Sequence, residues 1–150
     1  MPRRTSSCSN ACWKRANVMW QRTERIAIAA PPERVWAIVS DVSRHAQLTG
    51  SGEIGALRVS GPIAKGSTWE ADERVRAAGA FTARSECTVF DPPRELAWKS
   101  YPPPIKAGNP NSVADVTWWY RLAPDVAGTT LEHAFRVVEP KSGGLLMKAF

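Results

Sequence analysis

The chain has 150 residues and a mass of 16.5 kDa, enough for one domain and too little for two ordinary ones. With 43% hydrophobic and 23% charged residues it has a globular balance, which excludes collagen-like, coiled-coil and wholly disordered chains. No apolar run approaches the roughly 20 residues of a membrane-spanning helix, and three Cys do not make a disulfide scaffold. The net charge of +6 is concentrated at the start, where Arg3, Arg4, Lys14 and Arg15 stand without an acid. Elsewhere Lys and Arg are scattered among acids and form no basic stripe, so no nucleic-acid partner is expected.

Residues 1–18 read as a disordered basic leader, or as a start placed too early with Met19 as the true one. The Arg/Ser-rich composition also suits a transit peptide. No apolar h-region follows Arg3-Arg4, so the cytoplasm is the expected compartment. Cys8 and Cys12 form one pair without a second, and no metal site is expected.

Arg25 to Ala29 alternates as a strand, with Ile26 and Ile28 on one face. Pro31-Pro32-Glu33-Arg34 opens a helix whose apolar stripe is Val35, Trp36, Val39 and Val42. A second short helix spans Ser43 to Leu48, with His45 beside Arg44 and expected exposed. Strands follow over 53–60, 67–76 and 81–90. Trp69, Ala71, Glu73 and Val75 share one face, as do Phe81, Ala83, Ser85, Cys87 and Val89. Asp91-Pro92-Pro93-Arg94 makes a tight turn, and Leu96, Trp98 and Ser100 continue the inner face. A Pro/Gly-rich loop covers 101–112. Then Val116, Trp118, Tyr120 and Leu122, and Leu131, His133, Phe135 and Val137, line two inward strand faces. Leu145 to Phe150 begins an apolar-faced helix. Sustained alternation with segregated helices means α+β, with an antiparallel sheet covered on one face.

Two pattern matches fail on context. Gly50-Ser51-Gly52-Glu53-Ile54-Gly55 fits G-x-G-x-x-G, but a helix precedes it and a strand follows. Gly61 to Gly66 lacks the Lys of a phosphate loop.

Several segments together resemble one family. They are Ile26 to Trp36 with Ser40-Asp41-Val42, Gly66-Ser67-Thr68-Trp69, Phe90-Asp91-Pro92-Pro93-Arg94-Glu95-Leu96-Ala97-Trp98, and Gly128-Thr129-Thr130-Leu131-Glu132-His133. In order and spacing they resemble the START/polyketide cyclase superfamily (SRPBCC), in its polyketide cyclase/dehydrase-like branch, over residues 20–150. The resemblance implies a helix-grip fold: a curved sheet of about seven strands, two short helices after the first strand, and a C-terminal helix closing an apolar cavity. It implies one domain over 20–150, with most of that last helix cut off at Phe150. Relatives often carry Trp where this chain has Leu48. An open groove would be covered by further sequence, by a second chain in a homodimer, or by Ala11 to Trp20, where Cys12, Ala16 and Trp20 recur every four residues.

The expected ligand-binding residues are Trp69, Glu73, Ser85, Cys87, Trp98, Trp118, Tyr120, His133 and Phe135. His133 is expected opposite Trp118, and Glu73 near Ala83 or Ser85. Three strands would separate Glu73 from His133, over about 10 Å at some 4.8 Å per strand, which argues against a shared acid–base pair. For Glu73 the plainer role is a rim carboxylate paired with Arg, and for His133 a hydrogen-bonded core histidine. Cys87 has no base beside it and reads as a small buried group. No catalytic residue can be named, and no cofactor is called for. The expected function is binding of a small hydrophobic ligand (lipid, quinone or polyketide-like). The alternatives are a cofactor-independent aromatase/cyclase and a protein-interaction module of toxin-like or quinone-chaperone type.

Overall fold

A computed structural model describes residues 18–76, 79–102 and 115–138. The proposed leader to residue 17, most of the 101–112 loop and the C-terminal helix lie outside the described residues.

The elements run β1 (Val18–Ile28), α1 (Pro32–Val39), a 3-10 turn (Val42–Arg44) continuing into α2 (His45–Leu48), β2 (Ile54–Val59), β3 (Thr68–Val75), β4 (Gly79–Asp91), β5 (Glu95–Tyr101), β6 (Asp115–Asp125) and β7 (Gly128–Val138). The strands form one antiparallel sheet in the order β1-β7-β6-β5-β4-β3-β2. This is the expected α+β, helix-grip architecture.

Three local expectations need correction. The first strand begins at Val18, not Arg25. Gln21 to Glu24 carry no apolar period, and pairing with β7 from Gln21↔Arg136 to Glu24↔His133 holds them extended. Trp20 therefore belongs to a strand, and 18–20 cannot join a helix laid over the groove. Second, the β6–β7 turn centres on Val126-Ala127, closed by Asp125↔Gly128. That moves each pairing by two, so Tyr120, not Trp118, faces His133. Glu73 likewise pairs with Phe81. A two-residue shift preserves the faces, so the inner set survives. Third, a bulge between Cys87 and Val89 swaps the parity of β4. Cys87 faces Trp98 as expected, but Val89 turns to the outer face opposite Ala97. Phe90 turns inward opposite Leu96, where its ring meets Trp36 at 5.3 Å.

The helices cover one face of the sheet. Val35, Trp36 and Val39 of α1 and Val42 pack with Trp69, Cys87, Leu96, Trp98, Tyr120, Leu122 and Leu131. The 17-residue stretch from Pro32 to Leu48 touches β6 and β7 at its start and β2 at its end, so it bridges the sheet. Its start is pinned by Thr129, whose Oγ1 donates to the Ala30 carbonyl at 2.7 Å.

Candidate functional site

An aromatic network crosses the covered face. Ser85 and Cys87 on β4 are small, which lets Trp69 of β3 reach Trp98 of β5, their rings 6.2 Å apart. Trp98 stacks on Trp118 at 6.3 Å and 9°, Trp118 meets Phe135 at 4.7 Å, and Phe135 meets Trp20 at 4.8 Å. Trp69, Ser85, Cys87 and Trp98 are buried core, while Glu73, Trp118, His133 and Phe135 are half-buried. The Ser85 and Ser100 hydroxyls bond each other at 3.0 Å, so Ser85 is satisfied inside the sheet. Burial pushes the Cys87 thiol pKa up, which keeps it protonated and unreactive.

A cleft of about 420 Å³ opens between the helices and the β1–β7–β6 side of the sheet. Ile28, Val35, Val39 and Leu131 form apolar walls. Ile26, Ile38 and Leu48 rim it with exposures of 56%, 40% and 42%. Its polar groups are Glu24, Arg34, Tyr120 and His133. Of the nine expected ligand-binding residues, only Tyr120 and His133 line this cleft. Trp98 and Trp118 support them from within the network, at 5.6 Å from Tyr120 and 5.9 Å from His133. Glu73 lies on β3, with β4, β5 and β6 between it and the strand of His133. It makes no ion pair with a described residue, so the expected Arg partner is not found there.

The His133 ring lies 4.5 Å from Tyr120 at 26°. Burial pushes Tyr120 up to about 12, so its hydroxyl stays a donor. Burial, then the nearby His45, lowers the His133 pKa and favours neutral imidazole. Among the described residues no hydrogen bond engages the His133 ring nitrogens, contrary to the expectation of a bonded core histidine. The inner end of the cleft thus offers one donor and one neutral donor–acceptor against apolar walls, with the charged Glu24 and Arg34 at its mouth.

His45 is the clearest miss: it is 6% exposed. The 3-10 turn ahead of α2 rotates it inward, where Nε2 donates to the Val39 carbonyl at 2.9 Å. Its ring packs at 5.2 Å from Trp98 and 5.7 Å from Tyr120, and burial lowers its pKa. Arg34 and Glu24 also line the cleft and are not among the expected residues. The signals were present: Arg34 and Ile38 sit one turn apart, and Glu24, Ile26 and Ile28 alternate along β1. Among the described residues no three His, Cys, Asp or Glu gather as a metal site, and no helix is long and apolar enough to cross a membrane.

Solved structures share the fold at low identity. DR_A0006 from Deinococcus radiodurans is 17% identical with a TM-score of 0.57, over 81% of this chain and 83% of that one. CV1439 from Chromobacterium violaceum is 18% identical with a TM-score of 0.57, over 81% of each chain. StfQ, a di-domain ARO/CYC from the steffimycin biosynthetic pathway, is 13% identical with a TM-score of 0.60, over 85% of this chain and 40% of that one. No curated protein matches the chain. The family model described as polyketide cyclase / dehydrase and lipid transport matches residues 19–150, and the chain belongs to that family.

Proposed function

We propose that the protein binds a small hydrophobic ligand (a lipid, quinone or polyketide-like molecule) in the cleft between α1, α2 and the β1–β7–β6 side of the sheet. One observation carries this reading: an apolar cleft of about 420 Å³ has the stacked Tyr120–His133 pair in its wall. That volume falls in the ordinary range of ligand sites, roughly 300–1,000 Å³, where apolar walls supply affinity and few polar groups set orientation. Tyr120 donates to a ligand carbonyl or hydroxyl and His133 completes the contact. Trp118 and Phe135 extend the apolar surface, and Trp69, Ser85, Cys87 and Trp98 hold its shape.

The test is native mass spectrometry of the purified chain, followed by titration with fatty acids, quinones and aromatic polyketides. Tryptophan emission and melting temperature are the readouts, since Trp98 and Trp118 adjoin the pair. A retained small-molecule mass or a saturable response supports the reading. An empty chain that responds to none of the three classes overturns it. The same spectrum reads monomer against dimer.

A second reading is a cofactor-independent cyclase. It is favoured by the neutral imidazole facing the cleft beside a protonated phenol. His133 would take the α-proton of a polyketide ketone while Tyr120 hydrogen-bonds the enolate oxygen; the enolate carbon would attack a second carbonyl, whose C=O π electrons pass to oxygen, and the imidazolium would return its proton to that alkoxide. Turnover that survives both His133→Ala and Tyr120→Phe would exclude this assignment.

A further inference from the structure

The cleft mouth carries two charged groups, Glu24 and Arg34. They are not equivalent. Glu24 accepts from Arg22 Nε at 2.9 Å, so its charge is already matched along β1. Arg34 is exposed and has no carboxylate of a described residue within 4.0 Å; Arg74, Arg76, Arg84 and Arg136 are likewise without an ion pair among the described residues, but none of them lines the cleft. The unmatched charge at the mouth is therefore positive. Around it stand the exposed Ile26, Ile38 and Leu48, and inward the wall is apolar as far as Tyr120 and His133.

This arrangement has a direction. An ionic head cannot be carried inward, because the inner polar groups are uncharged and burying an unpaired ion is costly. A ligand with one anionic end is best served by leaving that end at Arg34 and running its apolar body inward. Arg is suited to this role, since its planar fork meets a carboxylate through two parallel N–H···O contacts. A cationic head gains less, because Glu24 is engaged by Arg22.

We propose that Arg34 is a specificity-determining residue, selecting anionic amphipaths with a single carboxylate head and an apolar body. This rests on the ligand-binding reading above.

The experiment compares dodecanoate, dodecanol and dodecyltrimethylammonium, each below its micelle concentration, by tryptophan fluorescence on the full chain. The wild type, Arg34→Gln and Arg34→Lys are used at low and at 0.5 M salt. An exposed but well-oriented charge pair predicts that dodecanoate binds about two- to fivefold more tightly than dodecanol. The preference should shrink at high salt. Arg34→Gln should bring the ratio of dodecanoate to dodecanol affinity close to one, while Arg34→Lys keeps part of the preference. Equal binding of acid and alcohol, an unchanged preference in Arg34→Gln, or tightest binding of the trimethylammonium would overturn the role of Arg34 while leaving the cleft a ligand site. Failure of all three to bind overturns the inference about Arg34, and the ligand-binding reading falls with it only if quinones and aromatic polyketides fail to bind as well.

Discussion

The imidazole of His133 lies 4.5 Å from the ring of Tyr120, their planes 26° apart, directly across the β6–β7 pair. Facing residues in an antiparallel pair are close enough for ring stacking, so the sheet register itself orients the two groups. A phenol held up at about 12 donates and stays neutral. Tyr120→Phe removes that donor with almost no change of shape. Affinity for a ketone-bearing ligand should fall by about 2- to 10-fold, the value of one net hydrogen bond. Affinity for a pure hydrocarbon of equal size should not change. Paired fluorescence titrations check this, and an equal loss for both ligands would mean that the hydroxyl does not meet the ligand.

Acid should destabilise the fold through the two histidines. His45 and His133 both sit below their ordinary value of 6.5 in the folded chain, each chiefly through burial. The unfolded chain therefore takes up protons first as pH falls. Their contribution is complete above about pH 6.5 and is lost as pH drops through the folded values. Melting temperature should fall between pH 7 and pH 5, and His45→Gln, which keeps a donor for the Val39 carbonyl, should flatten that slope. A slope unchanged in His45→Gln and in His133→Phe would remove both groups from the account.

Glu73 works in the opposite sense. Burial, then Glu53, raises its pKa above the ordinary 4.5. Its contribution is present below 4.5 and is lost as pH rises through the folded value, where a half-buried carboxylate must ionise. Glu73→Gln should raise the melting temperature at pH 7 and have no effect near pH 4. Urea melts at the two pH values measure the difference. A destabilised variant at pH 7 would point to a partner for the charged form.

How much of this is readable from residue order depends on what fixes each feature. The inner faces of β3 and β5 follow from strict alternation, and Trp69, Trp98 and Leu96 are found where that pattern puts them. The β4 bulge is invisible because Val89 and Phe90 are both apolar, so either parity looks acceptable. The β6–β7 register depends on the turn, and Val126-Ala127 has none of the Gly or Asn that marks a tight hairpin. The burial of His45 is not legible from its exposed neighbour Arg44, because the 3-10 turn decides it. The cleft itself joins residues more than 100 positions apart, such as Ile26 and Leu131, and only the β1–β7 pairing brings them together.

The Gly128-Thr129 pair explains one of the motifs physically. Gly128 has φ of +142°, and a Cβ there would lie 2.3 Å from the Ile28 carbonyl oxygen and 2.7 Å from the Ala30 amide nitrogen. These are backbone atoms of the corner leading from β1 into α1, so no side chain can simply swing away. Beside it, buried Thr129 bonds the Ala30 carbonyl. Gly128→Ala should cost about 2–4 kcal/mol, combining an unfavourable φ with a forced shift of the corner. Thr129→Val keeps the shape and strands the Ala30 carbonyl, at a cost of about 1–3 kcal/mol. Gly61→Ala is the control: its φ is +87° but a Cβ would meet nothing within 4 Å, so only the backbone cost of about 1 kcal/mol remains. Ala30 and Val35 line the cleft just beyond this corner, so Gly128→Ala should also weaken ligand binding, whereas Gly61→Ala should not. Urea denaturation and fluorescence titration of the three variants test the link. Equal costs for Gly128→Ala and Gly61→Ala would show that the corner yields freely and does not set the position of α1.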